Sequence, residues 1–367
     1  MIFKKVNLFS ISKNIKKTKK IDLIFKDHRG LMVQAINKKL RDTINLRYKK
    51  EESNSSPMEK SNHRNNHANT FLNTLYKEIK NKINNKKILD VGCGSGHILK
   101  LLKINGADVT GIEPGLKINK DKKISIVKDF SKLKKDTKFD IIVSNAVLEH
   151  IFNLKIFFKN LKKFLKKNGV IFFCVPDCEK SIKIGDPTIL NHEHIYYFTK
   201  KSLFNIFTEY GFRAKVFNDD KGNLFCKAQT ADTKFRFKKQ KFSKNISINY
   251  KKKFNIFLNK FQNWFHTNLD NEIIFYGATA AIPTLLSYIN LKGKLSKINV
   301  IDGDIFKQSQ YISGLNKKIL SPNYLKGINK DNIKIFIFAI HYEVAIKKIL
   351  TEKFKINQKN VFYISRL

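Results

Sequence analysis

The stretch "ILDVGCGSGHILKLL", residues 88–102, decides the fold. It reads as a short apolar strand, a tight glycine turn and the opening of an amphipathic helix. Gly92, Gly94 and Gly96 permit positive φ and leave no side chain between the backbone and a ligand lying against it. The spacing is GxGxG, whereas the dinucleotide fingerprint is GxGxxG. An acid, Asp90, stands two residues before the first glycine. A pyrophosphate would suit a helix N-terminus, but a carboxylate at its mouth repels one and suits a cation.

Outward from this turn, candidate strands follow at 107–113, 124–129, 139–145 and 169–176, with helical stretches between most of them. The segment 71–84 has helical spacing, and 154–169 reads as a helix closed by Gly169. Such alternation predicts a parallel sheet with helices on both faces. The pair "RAKVFN" and "NLFCKAQ", joined by "DDKG", predicts an antiparallel hairpin at its end. Polar residues stand at the predicted strand ends. Glu113 lies 17 residues beyond Gly96, where a carboxylate can accept both hydroxyls of a ribose. Asp129 can meet an adenine amino group, Phe130 can flank the ring, and Asn145 falls at the ligand's edge. His150, in "VLEH", reads as a helix-start residue near the site.

Residues 1–70 read as polar and irregular, with 51–62 as loop. After the α/β segment of 71–230, residues 231–271 read as a basic linker and a bridging helix. In that helix Phe254, Phe257, Phe261 and Trp264 recur at helical spacing. A second, smaller α/β domain is expected over 272–367, whose "GATAA" loop and Asp302 imitate a dinucleotide site only weakly.

The net charge is +42, yet only seven of the 72 basic residues are Arg. Arg reads phosphates and bases bidentately. Lysines scattered among Asn and Ile point to composition rather than a nucleic-acid footprint, so a nucleic-acid partner is disfavoured. No apolar run approaches the ~20 residues of a membrane span, and the N-terminus lacks the apolar stretch of a signal peptide. Cys93, Cys174, Cys178 and Cys226 form no CxxC pair and suit reduced thiols in the cytoplasm.

Taken in order, Asp90, the GxGxG turn, Glu113 and "VLEH" resemble the class I S-adenosylmethionine-dependent methyltransferases. That resemblance implies a Rossmann-like parallel sheet with an antiparallel hairpin edge, and S-adenosylmethionine as cofactor. The stretch "NHEHIYYFTKKSL" (191–203), with "FYGATAAIPTLLSYI", "VIDGDIFKQSQYISG" and "ILSP" further on, is similar to the sugar C-methyltransferases acting on nucleotide-linked deoxy-keto sugars. Those proteins join a zinc-binding N-terminal domain, a methyltransferase domain and a C-terminal Rossmann-like domain.

The resemblance implies that His194 is the general base, supported by Glu193, with Asn191, His192 and Tyr196 lining the substrate. Asn191 departs from the family's tyrosine. From the residues alone, an imidazole beside a carboxylate on a loop suits general-base chemistry near neutrality. His192 and His194 lack the further ligands that a metal site needs. In "FKDHRGLMVQ" (25–34), Lys26 and Arg29 stand where the family has zinc cysteines, so no zinc is expected. The expected acceptor is a nucleotide-linked sugar or another small molecule. O-methylation of a glycan sugar is the alternative, and RNA methylation a more distant one.

Overall fold

The structure, a computed structural model, describes residues 1–15, 19–49, 61–115, 124–231, 242–289 and 295–367. The chain opens with strands β1 (Ile2–Asn7), β2 (Ile11–Ser12), β3 (Lys20–His28) and β4 (Leu31–Ala35), then helices α1 (Lys38–Lys49) and α2 (Asn62–Glu78). There follow β5 (Lys87–Val91), α3 (His97–Ile104), β6 (Asp108–Ile112), β7 (Ser125–Val127) and β8 (Phe139–Asn145). Next come α4 (Leu154–Phe164), β9 (Leu165–Pro176), α5 (Glu179–Ile184), β10 (Tyr196–Tyr197), α6 (Lys200–Glu209), β11 (Phe212–Asn218) and β12 (Asn223–Thr230). The long helix α7 (Ile246–Thr267) precedes β13 (Glu272–Tyr276), α8 (Ala281–Leu286), β14 (Ile298–Ile301), β15 (Tyr311–Ile312) and β16 (Lys317–Leu320). The chain ends with β17 (Ile333–Ile337), α9 (Glu343–Lys348) and β18 (Val361–Tyr363).

The chain divides into two compact units. One holds residues 28–177 and 195–244; the other holds 1–27, 178–194 and 245–367. This differs from a division at residues 70, 230 and 271. The described part of the first 70 residues is also not irregular: β1 pairs antiparallel with β3, and α2 already starts at Asn62, capped by the Ser61 hydroxyl. The strands escaped notice because polar residues interrupt their alternation, as in "KIDLIFKDH". The loop read over 51–62 lies mostly outside the described residues, as does 232–241 of the basic linker.

In the first unit the sheet runs β11-β12-β9-β8-β5-β6-β7. All neighbours from β9 to β7 are parallel, and the β11–β12 hairpin inserts β12 antiparallel against β9. Parallel strands covered on both faces read as continuous apolar runs, which is why this part was visible in the sequence.

Successive residues of a strand point to opposite faces. Ile88, Ile141 and Val143 therefore pack under α2 and α3, while Leu89, Val91 and Ile142 join the layer holding α4 and α6. In that second layer Phe158 stacks on Tyr210 at 4.5 Å and 10° and meets Phe207 edge-on at 5.1 Å. Each such buried ring contributes roughly 1.5–3 kcal/mol. The helix expected over 154–169 stops at Phe164. Leu165 is already extended (φ −82°, ψ 136°), and Gly169 lies inside β9, where a Cβ would meet Leu165 at 2.6 Å and the Asp140 carbonyl at 3.1 Å. A bulge opposite Phe139–Ile141 accommodates the polar residues before Gly169.

The second unit has its own sheet, β18-β17-β13-β14-β16-β15-β2. Its five strands from β18 to β16 are parallel, and β15 and β2 close it antiparallel. The unit is the smaller of the two, as expected, but its sheet also has seven strands. The Phe257, Phe261 and Trp264 stripe of α7 packs on this sheet, Phe261 and Trp264 each meeting Phe336 at 5.0 Å. That helix belongs to the unit's core. Among the described residues no helix is long and apolar enough to cross a membrane.

Candidate active site

The turn after β5 is built as its glycines predict. Gly92, Gly94 and Gly96 take φ of 77°, 54° and 82°. A Cβ on Gly92 would stand 2.3 Å from Val147 Cγ2, so only glycine fits there. A Cβ on Gly94 would meet nothing within 4 Å, which leaves open space against the backbone. The N–H groups of Gly92 and Cys93 both donate to the Ile112 carbonyl, at 2.8 and 3.1 Å. Glu113 then ties the turn from the side. Its Oε2 accepts from Gly94 N at 2.9 Å, and its Oε1 from Gly115 N at 3.0 Å. Each carboxylate oxygen keeps a second lone pair for a ligand hydroxyl.

Asp90 is 2% exposed, and its Oδ2 has no hydrogen-bond partner among the described residues. Burial, reinforced by the charge of Glu113, pushes its carboxyl up to about 8. A buried carboxylate without a partner is costly, so this site calls for a cation or a proton. Asp90 and Asn145 share a sheet face, since Asp90 pairs in register with Val143 and Asn145 lies two residues further on.

Asn145 is 5% exposed with its Oδ1 unpartnered, and its Nδ2 lies 3.3 Å from His67 Nδ1. Asp129 is exposed and caps the short turn after β7, its Oδ1 accepting from Ser131 N at 2.7 Å. Those bonds, with the charge of Lys132, hold its carboxyl below the usual range. The Phe130 ring stacks on Phe164 at 5.9 Å and meets Phe157 at 6.1 Å, so only its half-exposed remainder can flank a ligand.

Sequence reading missed the N-terminal turns of α2. The stripe Phe71, Leu72, Leu75 continues back through Ala68 to Arg64 and His67 at helical spacing, and that periodicity was the available signal. His67 Nε2 lies 2.8 Å from Asn223 Oδ1. Burial and the neighbouring Arg64 push the imidazole down to about 4. Glu149 is another missed group. It is 1% exposed, its Oε2 has no partner, and burial pushes it up to about 8, with Arg64 opposing. His150 Nε2 stands 3.7 Å from Glu149 Oε1.

In the other unit, "NHEH" forms a turn held by Asn191. Its side-chain oxygen accepts from Glu193 N at 3.0 Å and its carbonyl from His194 N at 3.1 Å. Glu193 and His192 are buried, with Glu193 Oε1 3.6 Å from His192 Nε2, and His194 is half-buried. The carboxylate therefore lies beside His192, which the resemblance placed among the substrate-lining residues.

Tyr196 belongs to the first unit, where β10 pairs antiparallel with β4 opposite Val33. Burial, then Tyr210, pushes its hydroxyl up to about 12. Asp302, the acid of the weak dinucleotide imitation, is engaged internally. Its Oδ2 accepts from Ala278 N at 2.8 Å and Lys307 Nζ at 3.1 Å, and its Oδ1 from Asp304 N. All four cysteines are buried and free of disulfides.

Residues 62–215 match the family described as "Methyltransferase domain". With the sheet order and the glycine turn, this places a class I S-adenosylmethionine-dependent methyltransferase domain in that stretch. Two relatives are both named ubiquinone biosynthesis O-methyltransferase. The one from Pelagibacter ubique is 32% identical over 119 residues, 30% of this chain and 49% of its own. The one from Histophilus somni is 31% identical over 163 residues, 39% of this chain and 66% of its own. The chain thus spans about half to two thirds of these relatives' length. A solved S-adenosylmethionine-dependent methyltransferase from Mesorhizobium loti aligns at 16% identity and a TM-score of 0.34, covering 40% of this chain and 92% of its own.

S-adenosylmethionine fits the residues present. The unpartnered Asp90 oxygen would suit its ammonium group and the remaining lone pairs of Glu113 its ribose, and the space over Gly94 would admit it against the backbone.

Proposed function

We propose that the protein transfers a methyl group from S-adenosylmethionine to a small-molecule acceptor, a sugar carried on a nucleotide. The observation that carries the cofactor reading is the buried Asp90, whose Oδ2 has no partner among the described residues, on the strand that leads into the open turn at Gly94. When bound, S-adenosylmethionine supplies an electrophilic methyl group on a sulfonium. Asp90 would hold the ammonium end and Glu113 the ribose, while the Gly92–Gly96 turn lets the ligand reach the backbone. Holding the donor at both ends would limit its freedom relative to an acceptor, and such orientation is worth up to ~7–11 kcal/mol of barrier.

His194 would accept the acceptor's proton, with Glu193 as its supporting acid. The Asn191 turn fixes the backbone on which both stand. The sugar reading draws its support from the resemblance of "NHEHIYYFTKKSL" and of the C-terminal unit to the sugar C-methyltransferases. Cytoplasmic residence fits the four reduced cysteines.

A second reading has specific support. Asn191 replaces the tyrosine of the sugar C-methyltransferases, and the matched relatives are named as O-methyltransferases. In this reading the acceptor is a hydroxyl. Incubation with labelled S-adenosylmethionine and a panel of nucleotide-linked keto sugars, finished glycans and phenols tests both. Label on a sugar carbon supports the first reading, label on oxygen the second, and label on none of the panel refutes both.

A further inference from the structure

We propose that His67 is a positioning residue that dictates which way the Asn145 carboxamide faces, so that Asn145 presents an acceptor oxygen to the cofactor's ammonium group. The inference rests on the reading of Asp90 to Asn145 as the S-adenosylmethionine site. It begins at a group whose polarity is unambiguous. A carboxylate only accepts, and Asp219 Oδ2 lies 2.7 Å from Asn223 Nδ2, while its Oδ1 takes the N–H groups of Lys221 and Asn223, each at 2.9 Å. Asn223 must therefore turn its NH2 toward Asp219 and its Oδ1 toward His67 Nε2, 2.8 Å away. Nε2 then carries the ring's hydrogen, and Nδ1 is left to accept.

Asn145 Nδ2 stands 3.3 Å from that Nδ1 and donates to it. Its Oδ1 consequently faces the other way, buried and without a partner. The groups around the imidazole favour this single-hydrogen state. Burial, Arg64 and His63 on α2 disfavour a second proton, while Asp219 in the β11–β12 turn and the Asn223 bond favour one; the former win, at about 4. A doubly protonated ring would reverse the relay, turning Asn145 Oδ1 toward His67 and its NH2 toward the ligand.

Asn145 Oδ1 and Asp90 Oδ2 are then two buried, unpartnered acceptors on one sheet face, on adjacent strands. One pairs beside Val143, the other lies two residues further, about 7 Å along the strand. An ammonium group carries three donors and can answer both, whereas a carboxylate or ionised phosphate, which only accepts, cannot answer Asn145 Oδ1.

The test uses the full chain. Long-range proton–nitrogen NMR at pH 7 should show His67 with hydrogen on Nε2 and none on Nδ1. Calorimetry should show Asn145→Ala lowering affinity for S-adenosylhomocysteine about tenfold, one hydrogen bond to a charged group, with no loss for its deaminated analogue. His67→Ala should lower the same affinity severalfold, and the double variant should be no worse than Asn145→Ala alone. Hydrogen on His67 Nδ1, equal losses for both ligands, or additive losses in the double variant would each overturn the relay while leaving the cofactor reading intact. No binding of S-adenosylhomocysteine to the unaltered protein would overturn the cofactor reading and the relay with it. The NMR measurement stands even if a variant fails to fold.

Discussion

Replacing Asp90 by Asn keeps the side chain's shape and removes its ionisation. The ordinary carboxyl titrates at 3.8, and the folded one at about 8, because of burial first and Glu113 second. Below pH 3.8 both folded and unfolded chains hold the proton, and Asp90 makes no difference to stability. Between 3.8 and about 8 the folded chain keeps a proton that the unfolded chain has released, so the group lowers stability as pH rises. The cost is on the order of 2 kcal/mol at pH 5 and roughly twice that at pH 7.

Asp90→Asn should therefore be more stable than the parent at pH 7, by a margin that widens from pH 5 and levels off above pH 8. Thermal unfolding across that range reads the margin as a growing difference in Tm. The same carboxyl is mostly protonated at pH 7 before a ligand arrives. An ammonium ligand needs it ionised, so cofactor binding should release a proton at pH 7 and progressively less of one as the pH rises past about 8. Calorimetry in two buffers of different ionisation heat measures that release. Parallel pH–stability curves for parent and variant, together with binding that releases no proton, would refute the reasoning.

Glu113→Ala should weaken S-adenosylmethionine binding by roughly 1–3 kcal/mol by calorimetry, since it removes both the ribose acceptor and the tie to Gly94 and Gly115. His194→Ala should lower turnover by ~10²–10⁴ and leave cofactor affinity unchanged, as initial rates and calorimetry would show. Gly92→Ala should lower Tm, because its left-handed backbone costs a side-chain residue roughly 1–2 kcal/mol before the 2.3 Å approach to Val147 is counted. Elemental analysis of dialysed protein should find no stoichiometric zinc, as Lys26 and Arg29 at the cysteine positions imply.

The first sheet was legible because its parallel strands are buried on both faces, as "ILDVG" and "FDIIVSN" are, and because glycine marks its turns. Its acids were legible for a related reason: Asp90 and Glu113 interrupt apolar runs at a strand's end, where only a ligand or a loop rewards a charge. His67 was not legible in the same way. Its partners Asn145 and Asn223 lie 78 and 156 residues away in sequence, and a local window sees only one more polar residue among "NHRNNHANT". The short strand β2 was hidden because two residues carry no periodicity. The helix read to Gly169 failed because Lys166, Lys167 and Asn168 suit an exposed helix and an exposed bulge equally.

Strand β2 also imposes a wait on the newly made chain. Ser10 and Ser313 are 303 residues apart in sequence and bonded in the fold, and Ile11–Ser12 complete their sheet only against Tyr311–Ile312. At roughly 5–20 residues per second of synthesis, the first strands stay without those partners for about 15–60 s. The first unit, whose described glycine turn and strands are all complete by residue 230, is free to fold during that interval. The order of assembly is thus written into the connectivity, and the second unit is the last to close.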